Sequence, residues 1–443
     1  MEQILRFFEK YLIPKSLYGL GQPIYHWLLS FGGALIYGFP SKNMIVIGVT
    51  GTKGKTTTCN LIHHILNSSG HKTGLSTTVN FKIGDKEWQN GLKQTMPGRF
   101  RLQKLLKQMK DAGCEYAVVE TSSEGILQYR HKFIDYDMAV FLNISPEHIE
   151  RHGSFENYRA AKVKLFEKVG QKGIGVYNLD DENASHFFEA EIGEKYGYSL
   201  KSQTANPELQ TNHKVQIANC KLSADKTEFT ANGINYKTGL VGEFNVYNCA
   251  AAITAATALN ISEEKIKEAL ATFNTVSGRM EIVKAPQGFS VIVDYAHEPK
   301  SLGAVYKAVK ETQMASGKSR MICLLGSCGG GRDKWKRPEM GKVASLYCDE
   351  IILANEDPYD ENPEKILDDI RAGINREVFS HQKVYEIVDR KEAIKRAISM
   401  AKKGDAVVLT GKGGEMWMCV ENGKKIPWDE KNIVESLFLE VGK

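Results

Sequence analysis

Hydrophobic residues along the chain fall into short continuous runs separated by stretches with helical spacing. MIVIGVT (44–50) is an apolar, β-rich run that ends in a glycine turn. Directly behind it, from Thr56 to Asn67, Leu61, Ile62, Ile65 and Leu66 recur at the three- and four-residue intervals of a helix. That is strand, loop, helix. Further apolar runs follow at YAVVE (116–120) and DMAVFLN (137–143), with helix-like polar segments between them. Apolar strands alternating with helices predict a mostly parallel, doubly wound sheet.

The pattern changes at 200–240. KVQIANCKL and TEFTANGINYKTG alternate in short segments, which predicts small antiparallel strands appended to that sheet. GEFNVYNCAAAITAATALNIS (242–262) reads as an alanine-rich helix packed in the core. From about Gly278 a second series begins, with FSVIVDYAH, MICLLGS, EIILAN and AVVLTGKGG as its strands. Its glycine-rich turns fall at the carboxyl ends of those strands, where ligands bind such sheets. The expected fold class is therefore α/β. A short helical segment at 1–42 precedes a central parallel-sheet domain at 43–277 and a Rossmann-like α/β domain at 278–443.

Composition narrows the setting. A length of 443 residues supplies a core for two or three domains. The net charge of +5 is spread along the chain without a Lys/Arg-rich block, so no nucleic-acid partner is expected, although the balance suits an anionic substrate. None of the eight cysteines forms a C-x-x-C pair, which argues against a zinc site or a secreted disulfide scaffold and predicts a reduced, cytoplasmic protein. Residues 16–41 hold no Asp, Glu, Lys or Arg. Their apolar core, Trp27 to Phe39, is shorter than the roughly 20 residues of a spanning helix. The segment is expected to pack against the protein or to rest on a membrane surface, and without a small-residue cleavage site it does not read as a signal peptide. A monomer is the expected state.

The strongest chemical signal is the loop behind the first strand, Gly51-Thr52-Lys53-Gly54-Lys55-Thr56-Thr57. Glycines let backbone N–H groups close around phosphate oxygens, and the following helix N-terminus adds a favourable dipole. Lys55 would neutralise β/γ-phosphate charge and the Thr56 hydroxyl would coordinate Mg²⁺. The strict G-x-x-x-x-G-K-[ST] spacing fails by one position, because Val49 stands where its first Gly belongs. VVETSSEGILQYR (118–130) puts Glu120 at a strand end, in reach of a metal near the loop.

The run VTGTKGKTTT resembles the phosphate loop shared by Mur ligases and folylpolyglutamate synthases, G-T-x-G-K-[ST]. NISPEHIERHGSFENYRAAKVKLF (143–166) resembles the Mur signature in which a His and a Lys, here His148 and Lys162, flank a second Mg²⁺. GEFNVYN, SGRMEIV, VIVDYAHEP, GSCGGGRDKWKRPEMG (326–341) and GKGGE (411–415) follow in the order of the superfamily's tripeptide synthetases, which add the third residue of the peptidoglycan stem peptide. The resemblance implies an ATP-dependent amide ligase acting through an acyl phosphate on a UDP-MurNAc-dipeptide. It also implies two Mg²⁺ ions held by Thr56, Glu120, His148 and a Lys162 carbamylated by CO₂. Lys55, Lys162, His148 and Glu120 would be the catalytic set, and Asn248, Arg279 and Asp294 would join the loop around the nucleotide. Thr95, Ser123, Arg130, Arg332, Glu356, Asp357, Tyr359, Gly411 and Glu415 would face the acceptor and the incoming amino acid.

Several departures bear on the substrate. Glu356-Asp357-Pro358-Tyr359 stands where diaminopimelate-adding members carry D-N-P-R, which favours a basic amino acid such as lysine. Ser122-Ser123-Glu124-Gly125 replaces S-S-H-G, and Thr95-Met96-Pro97-Gly98 replaces T-T-P-E. The 43 residues before the first strand are too few for the superfamily's N-terminal uridine-binding domain, so Arg99, Arg101 or Arg130 is expected to supply diphosphate contacts. A different acceptor, of the folylpolyglutamate, poly-γ-glutamate or lipid-linked muropeptide kind, is the alternative.

Overall fold

A computed structural model describes residues 15–147, 149–313, 319–375 and 383–441. The first sheet contains β1 (Ile45–Thr50), β2 (Thr73–Ser76), β3 (Asn80–Ile83), β4 (Lys86–Gln89), β5 (Tyr116–Glu120) and β6 (Met138–Phe141). It continues with β7 (Ile174–Asn178), β8 (Glu194–Ser199), β9 (His213–Leu222), β10 (Thr227–Ala231) and β11 (Ile234–Thr238). Their spatial order is β11-β10-β9-β8-β7-β6-β1-β5-β2-β3-β4. The middle, from β2 to β9, is parallel, and antiparallel ribbons extend both edges. The β9–β11 ribbon follows the expectation for 200–240, whereas the β3–β4 hairpin had no distinct period in the sequence.

Alternation along β1 distributes the core. Ile47 and Val49 pack under the helices Lys55–Ser68 and Glu243–Ala258, while Val46 packs with Leu102, Leu106 and Leu165 on the other face. A strand covered on both faces must be apolar throughout, which is why MIVIGVT shows no polar alternation.

The second sheet contains β12 (Glu281–Lys284), β13 (Ser290–Val293), β14 (Met321–Leu325), β15 (Glu350–Leu353), β16 (Val384–Glu386) and β17 (Ala406–Leu409). The order is β12-β13-β17-β14-β15-β16, parallel except for β12. This brings the carboxyl ends of β14, β15 and β17 side by side. Cys323 on β14 is disulfide-bonded to Cys348, just before β15, with Cα atoms 6.0 Å apart. This bond departs from the reduced state that the scattered cysteines predict, because only strand pairing brings positions 25 residues apart together.

The N-terminal helix Lys15–Ile36 packs on the helix Arg99–Asp111. Trp27 stacks on Phe31 and meets Phe133 edge-on, and Ser30 Oγ donates to Tyr129 O at 2.7 Å. One face stays exposed at Ile24, Leu28, Leu35 and Ile36. Among the described residues, no helix is long and apolar enough to cross a membrane.

Candidate active site

The phosphate loop leaves β1 at the centre of the first sheet. Gly54 caps the helix Lys55–Ser68 with φ +86°, a left-handed conformation that favours glycine. A Cβ there would also lie 2.3 Å from Asn248 Oδ1, so the loop can lie against Asn248 only without a side chain. Asn248 in turn accepts from Thr58 Oγ1 at 3.3 Å and donates to Asn245 at 2.9 Å. Thr56 and Thr57 are both buried at the start of the helix, and Asn143 pairs with both the N–H and the carbonyl of Lys53 at 3.0 and 3.1 Å.

Glu120 sits beside this loop because β5 pairs with β1 in a register that sets it opposite Val49. It accepts from Thr56 Oγ1 at 2.9 Å, from Thr78 N at 2.7 Å and from Thr78 Oγ1 at 3.0 Å. Thr95 joins through Thr78, at 3.0 Å. Lys55 Nζ donates to the carbonyls of Gly51 and Thr52, both at 2.9 Å, and Lys162 Nζ reaches the same Gly51 carbonyl at 2.8 Å. Burial, with the Lys55 ammonium beside it, holds Lys162 well below the usual lysine range. Burial likewise lowers Lys55. Only the neutral amine reacts with CO₂, so a shift in this direction suits the implied carbamate at Lys162, and a hydroxyl beside a carboxylate is a hard-oxygen pair suited to Mg²⁺. His148 lies outside the described residues.

The second sheet reaches into this site. Arg279 Nη2 lies 3.5 Å from Thr56 Oγ1, and its guanidinium stacks over Tyr295 with 4.3 Å to the ring centroid. His297 Nε2 lies 3.6 Å from Glu147 Oε1, which Lys53 Nζ also approaches at 3.0 Å. Asp294 accepts from Met280 N at 2.8 Å and from Ala296 N at 2.7 Å, and so braces the strand end next to Arg279.

At the carboxyl ends of β15 and β17 lies a cluster of charges. Asp357 accepts from Lys412 Nζ at 3.0 Å, from Cys419 N at 2.7 Å and from Lys93 Nζ. Glu415 accepts from Lys412 at 2.7 Å, lies 3.2 Å from Lys93 Nζ and takes the Tyr295 hydroxyl at 3.3 Å. Burial would raise Asp357, but Lys412 and Lys93 more than offset it and hold the carboxyl below its usual range. Glu356 is buried beside Cys328, whose thiol donates to it at 3.0 Å, and burial followed by the Asp357 charge raises its carboxyl. Gly411 must be glycine, because a Cβ there would come within 2.4 Å of Glu356 Oε2. Tyr359 adopts φ +52° with its ring against Gly330. Arg332 lines a neighbouring cleft with Glu124, Arg151, His297 and Lys336.

Most of the expected residues therefore share one interface between the two sheets. Two others play bracing parts. Ser123 meets His152 Nε2 at 3.1 Å, and Arg130 holds the 94–96 loop through Gln94 and Met96 O. Of the proposed diphosphate ligands, Arg99 bonds His26 and Gln128 O, and Arg101 is exposed on its helix. Glu147, His297 and Lys412 had been overlooked although each lies inside a motif already singled out. Lys93 had no signal, since it meets Asp357 across 264 residues.

The likeness to known proteins follows the same two halves. Residues 49–256 match the Mur ligase middle domain, and residues 278–413 match the Mur ligase glutamate ligase domain. Over 417 residues the chain is 37% identical to UDP-N-acetylmuramoyl-L-alanyl-D-glutamate–2,6-diaminopimelate ligase of Geobacillus kaustophilus, covering 92% of this chain and 81% of that protein. It is also 37% identical over 428 residues to UDP-N-acetylmuramyl-tripeptide synthetase of Treponema denticola, covering 92% and 78%. A solved structure of a UDP-N-acetylmuramoyl-L-alanyl-D-glutamate–2,6-diaminopimelate ligase superposes with a TM-score of 0.59 at 29% identity, over 90% of this chain and 79% of that one. Folylpolyglutamate synthase of Mycobacterium tuberculosis, at 16% identity and a TM-score of 0.66 over 87% and 92%, shares the fold. Because the match runs through the phosphate loop, the buried lysine and the opposing charged cluster alike, the chain belongs to the Mur ligase family of ATP-dependent, amide-bond-forming enzymes.

Proposed function

We propose that the chain joins a free amino acid to the terminal carboxylate of a UDP-MurNAc-dipeptide, making the third residue of a peptidoglycan stem peptide in the cytoplasm. One observation carries the reading. Lys55, Thr56, Glu120 and Lys162 converge on the phosphate loop, while Arg279 reaches the same loop from the second sheet. The names of the relatives at 37% identity support this choice of acceptor.

The roles divide between a central unit at 43–277 and a C-terminal unit at 278–443, with 1–42 as a separate N-terminal segment. Residues 51–57 cradle the ATP phosphates, and Asn248 and Arg279 border the nucleotide, with Asp294 bracing the strand behind Arg279. Thr56, Glu120, His148 and the Lys162 carbamate are the proposed holders of two Mg²⁺ ions, which would supply neutralisation of phosphate charge. The acceptor carboxylate oxygen attacks the γ-phosphorus, releasing ADP and leaving an acyl phosphate, while Lys55 steadies the transferring group. The amine of the incoming amino acid then attacks the carbonyl carbon, loses a proton, and inorganic phosphate departs. Thr95, Ser123 and Arg130 support the acceptor side. Arg332 takes the amino acid's carboxylate through a planar, two-pronged donor, and Glu415 takes its ammonium. Tyr359 has no charge for a distal carboxylate and Asp357 adds an acid, so the reading favours a basic amino acid such as lysine.

The test supplies purified protein with ATP, Mg²⁺, UDP-MurNAc-dipeptide and a panel containing lysine and diaminopimelate, and measures phosphate release. Lysine-dependent release is expected, and Arg332→Ala should chiefly raise the amino-acid KM. Absence of release with every amino acid would overturn the reading. A lipid-linked acceptor is the second reading, favoured by the exposed stripe of Ile24, Leu28, Leu35 and Ile36 on a helix without Asp, Glu, Lys or Arg after Lys15. Co-sedimentation with phosphatidylglycerol vesicles that is lost in Leu28→Lys/Leu35→Lys would support it; no co-sedimentation would remove it.

A further inference from the structure

Lys93 belongs to the first half of the chain, yet its ammonium sits within the charged cluster of the second. It bonds Asp357 Oδ2, lies 3.2 Å from Glu415 Oε2 and points at the Trp417 carbonyl at 3.4 Å. The loop that delivers it is built for the purpose. Asn90 donates to Thr77 O at 2.7 Å and to Gln94 O at 3.0 Å, and Leu92 N donates back to Asn90 at 3.0 Å. Lys93 itself holds φ +54°, an uncommon conformation for a residue with a Cβ, and Trp417 Nε1 latches the loop through Gly91 O at 3.2 Å.

Lys93 is one of the two cations that face the Asp357 and Glu415 carboxylates. Asp357 and Glu415 carry two negative charges, against the two positive charges of Lys412 and Lys93. Lys412 is wholly buried and bonded to both acids, so it is a fixed part of the floor. Lys93 lies at the rim, in the wall of a cleft shared with Thr78, Arg279, Tyr295, Glu415 and Trp417. Withdrawing it would leave a buried seat one charge short, lined by two carboxylates and a carbonyl. A primary ammonium, compact, cationic and a three-fold donor, fits such a seat.

We infer that Lys93 is a built-in stand-in for the incoming amino acid's ammonium, which enters by displacing the lysine from Asp357 and Glu415. This rests on the proposed assignment of Glu415 to the amine. Lys93 thereby competes with the substrate and holds the two sheets together until an amino acid arrives, so that binding frees the 90–98 loop.

Two experiments test this. In the first, Lys93→Met removes the charge and keeps the apolar stem, and steady-state kinetics are measured at saturating ATP and acceptor. The amino-acid KM should fall at least threefold with the ATP KM unchanged within twofold. An amino-acid KM that is unchanged or raised would overturn the inference, a rise being the result expected of a lysine that binds substrate carboxylate. The second needs neither turnover nor a known acceptor. Hydrogen exchange over residues 90–98 of the full chain is followed in n-butylammonium chloride against potassium chloride at equal ionic strength. Faster exchange with the alkylammonium, absent in Lys93→Met, supports displacement, and equal rates in both salts sink it. If the amino-acid panel gives no phosphate release but the exchange responds, the substrate assignment has failed and the seat has not.

Discussion

A side chain at position 54 would meet Asn248 Oδ1 at 2.3 Å while the backbone holds φ +86°. Gly54→Ala therefore carries a left-handed penalty of about 1–2 kcal/mol and a displaced Asn248. The expected result is a lower urea midpoint together with a raised ATP KM; a variant with wild-type ATP KM would contradict the placement of Asn248 against the loop. Lys162 makes the second argument at this scale. Burial, followed by the Lys55 charge, lowers its amine in the direction of the neutral form, the form that takes up CO₂. Protein exchanged into ¹³C-bicarbonate should show a carbamate resonance that Lys162→Ala lacks. That variant should lose at least about a hundredfold in kcat, the scale of losing one preorganised electrostatic group, and added bicarbonate should not restore it. Full activity in the variant would end the carbamate assignment.

Elements are held to one another by a buried ion pair that sequence reading had not singled out. Arg390, at the start of the helix Arg390–Met400, forms two bonds to Glu430 of the helix Glu430–Val441, at 3.1 and 2.6 Å, with both side chains fully buried. The same guanidinium donates to Thr410 O at 2.7 Å and Asn355 O at 3.2 Å. Those carbonyls immediately precede the Gly411–Glu415 turn and the Glu356–Asp357 pair, so the two C-terminal helices set the positions of the charged cluster. Glu430→Ala leaves a buried guanidinium without its partner and should cost about 3–5 kcal/mol in chemical denaturation. Arg390→Met/Glu430→Leu should cost less than either single change. A loss below about 1 kcal/mol in Glu430→Ala would show that solvent reaches the pair.

Over the whole molecule, acid stability follows from histidines buried in neutral form. Burial, reinforced by nearby lysines, pushes both His63 and His131 down to about 4 from an ordinary value of 6.5. The unfolded chain thus binds more protons than the folded one between those values. The stabilisation is complete above about 6.5 and is lost as pH falls towards 4, by up to about 1.4 kcal/mol per pH unit for each histidine. Urea unfolding at pH 7 and pH 5 should show this fall, and His63→Gln/His131→Gln should flatten it. A double variant with the wild-type slope would place the acid sensitivity elsewhere.

The strand, loop and helix around Gly51–Thr56 were legible because their determinants are local: apolar continuity, glycine, and three- and four-residue spacing. The alanine-rich helix, the 200–240 ribbon and the alternating C-terminal series were legible for the same reason. The β3–β4 hairpin is too short and mixed to show a period, and the Cys323–Cys348 bond depends on two strands becoming neighbours. Resemblance named Lys162 and Glu120, but only strand register sets Glu120 opposite Val49 and only burial lowers the Lys162 amine from its usual range. The sequence by itself thus determined the class of fold and the place of the phosphate loop between strand and helix, since periodicity and motif are properties of neighbours in the chain. Tertiary structure alone decided that Arg279 meets Thr56 across 223 residues and that Lys93 neutralises Asp357 across 264. Those contacts arise where two separately formed sheets meet, and no spacing along the chain encodes the geometry of that meeting.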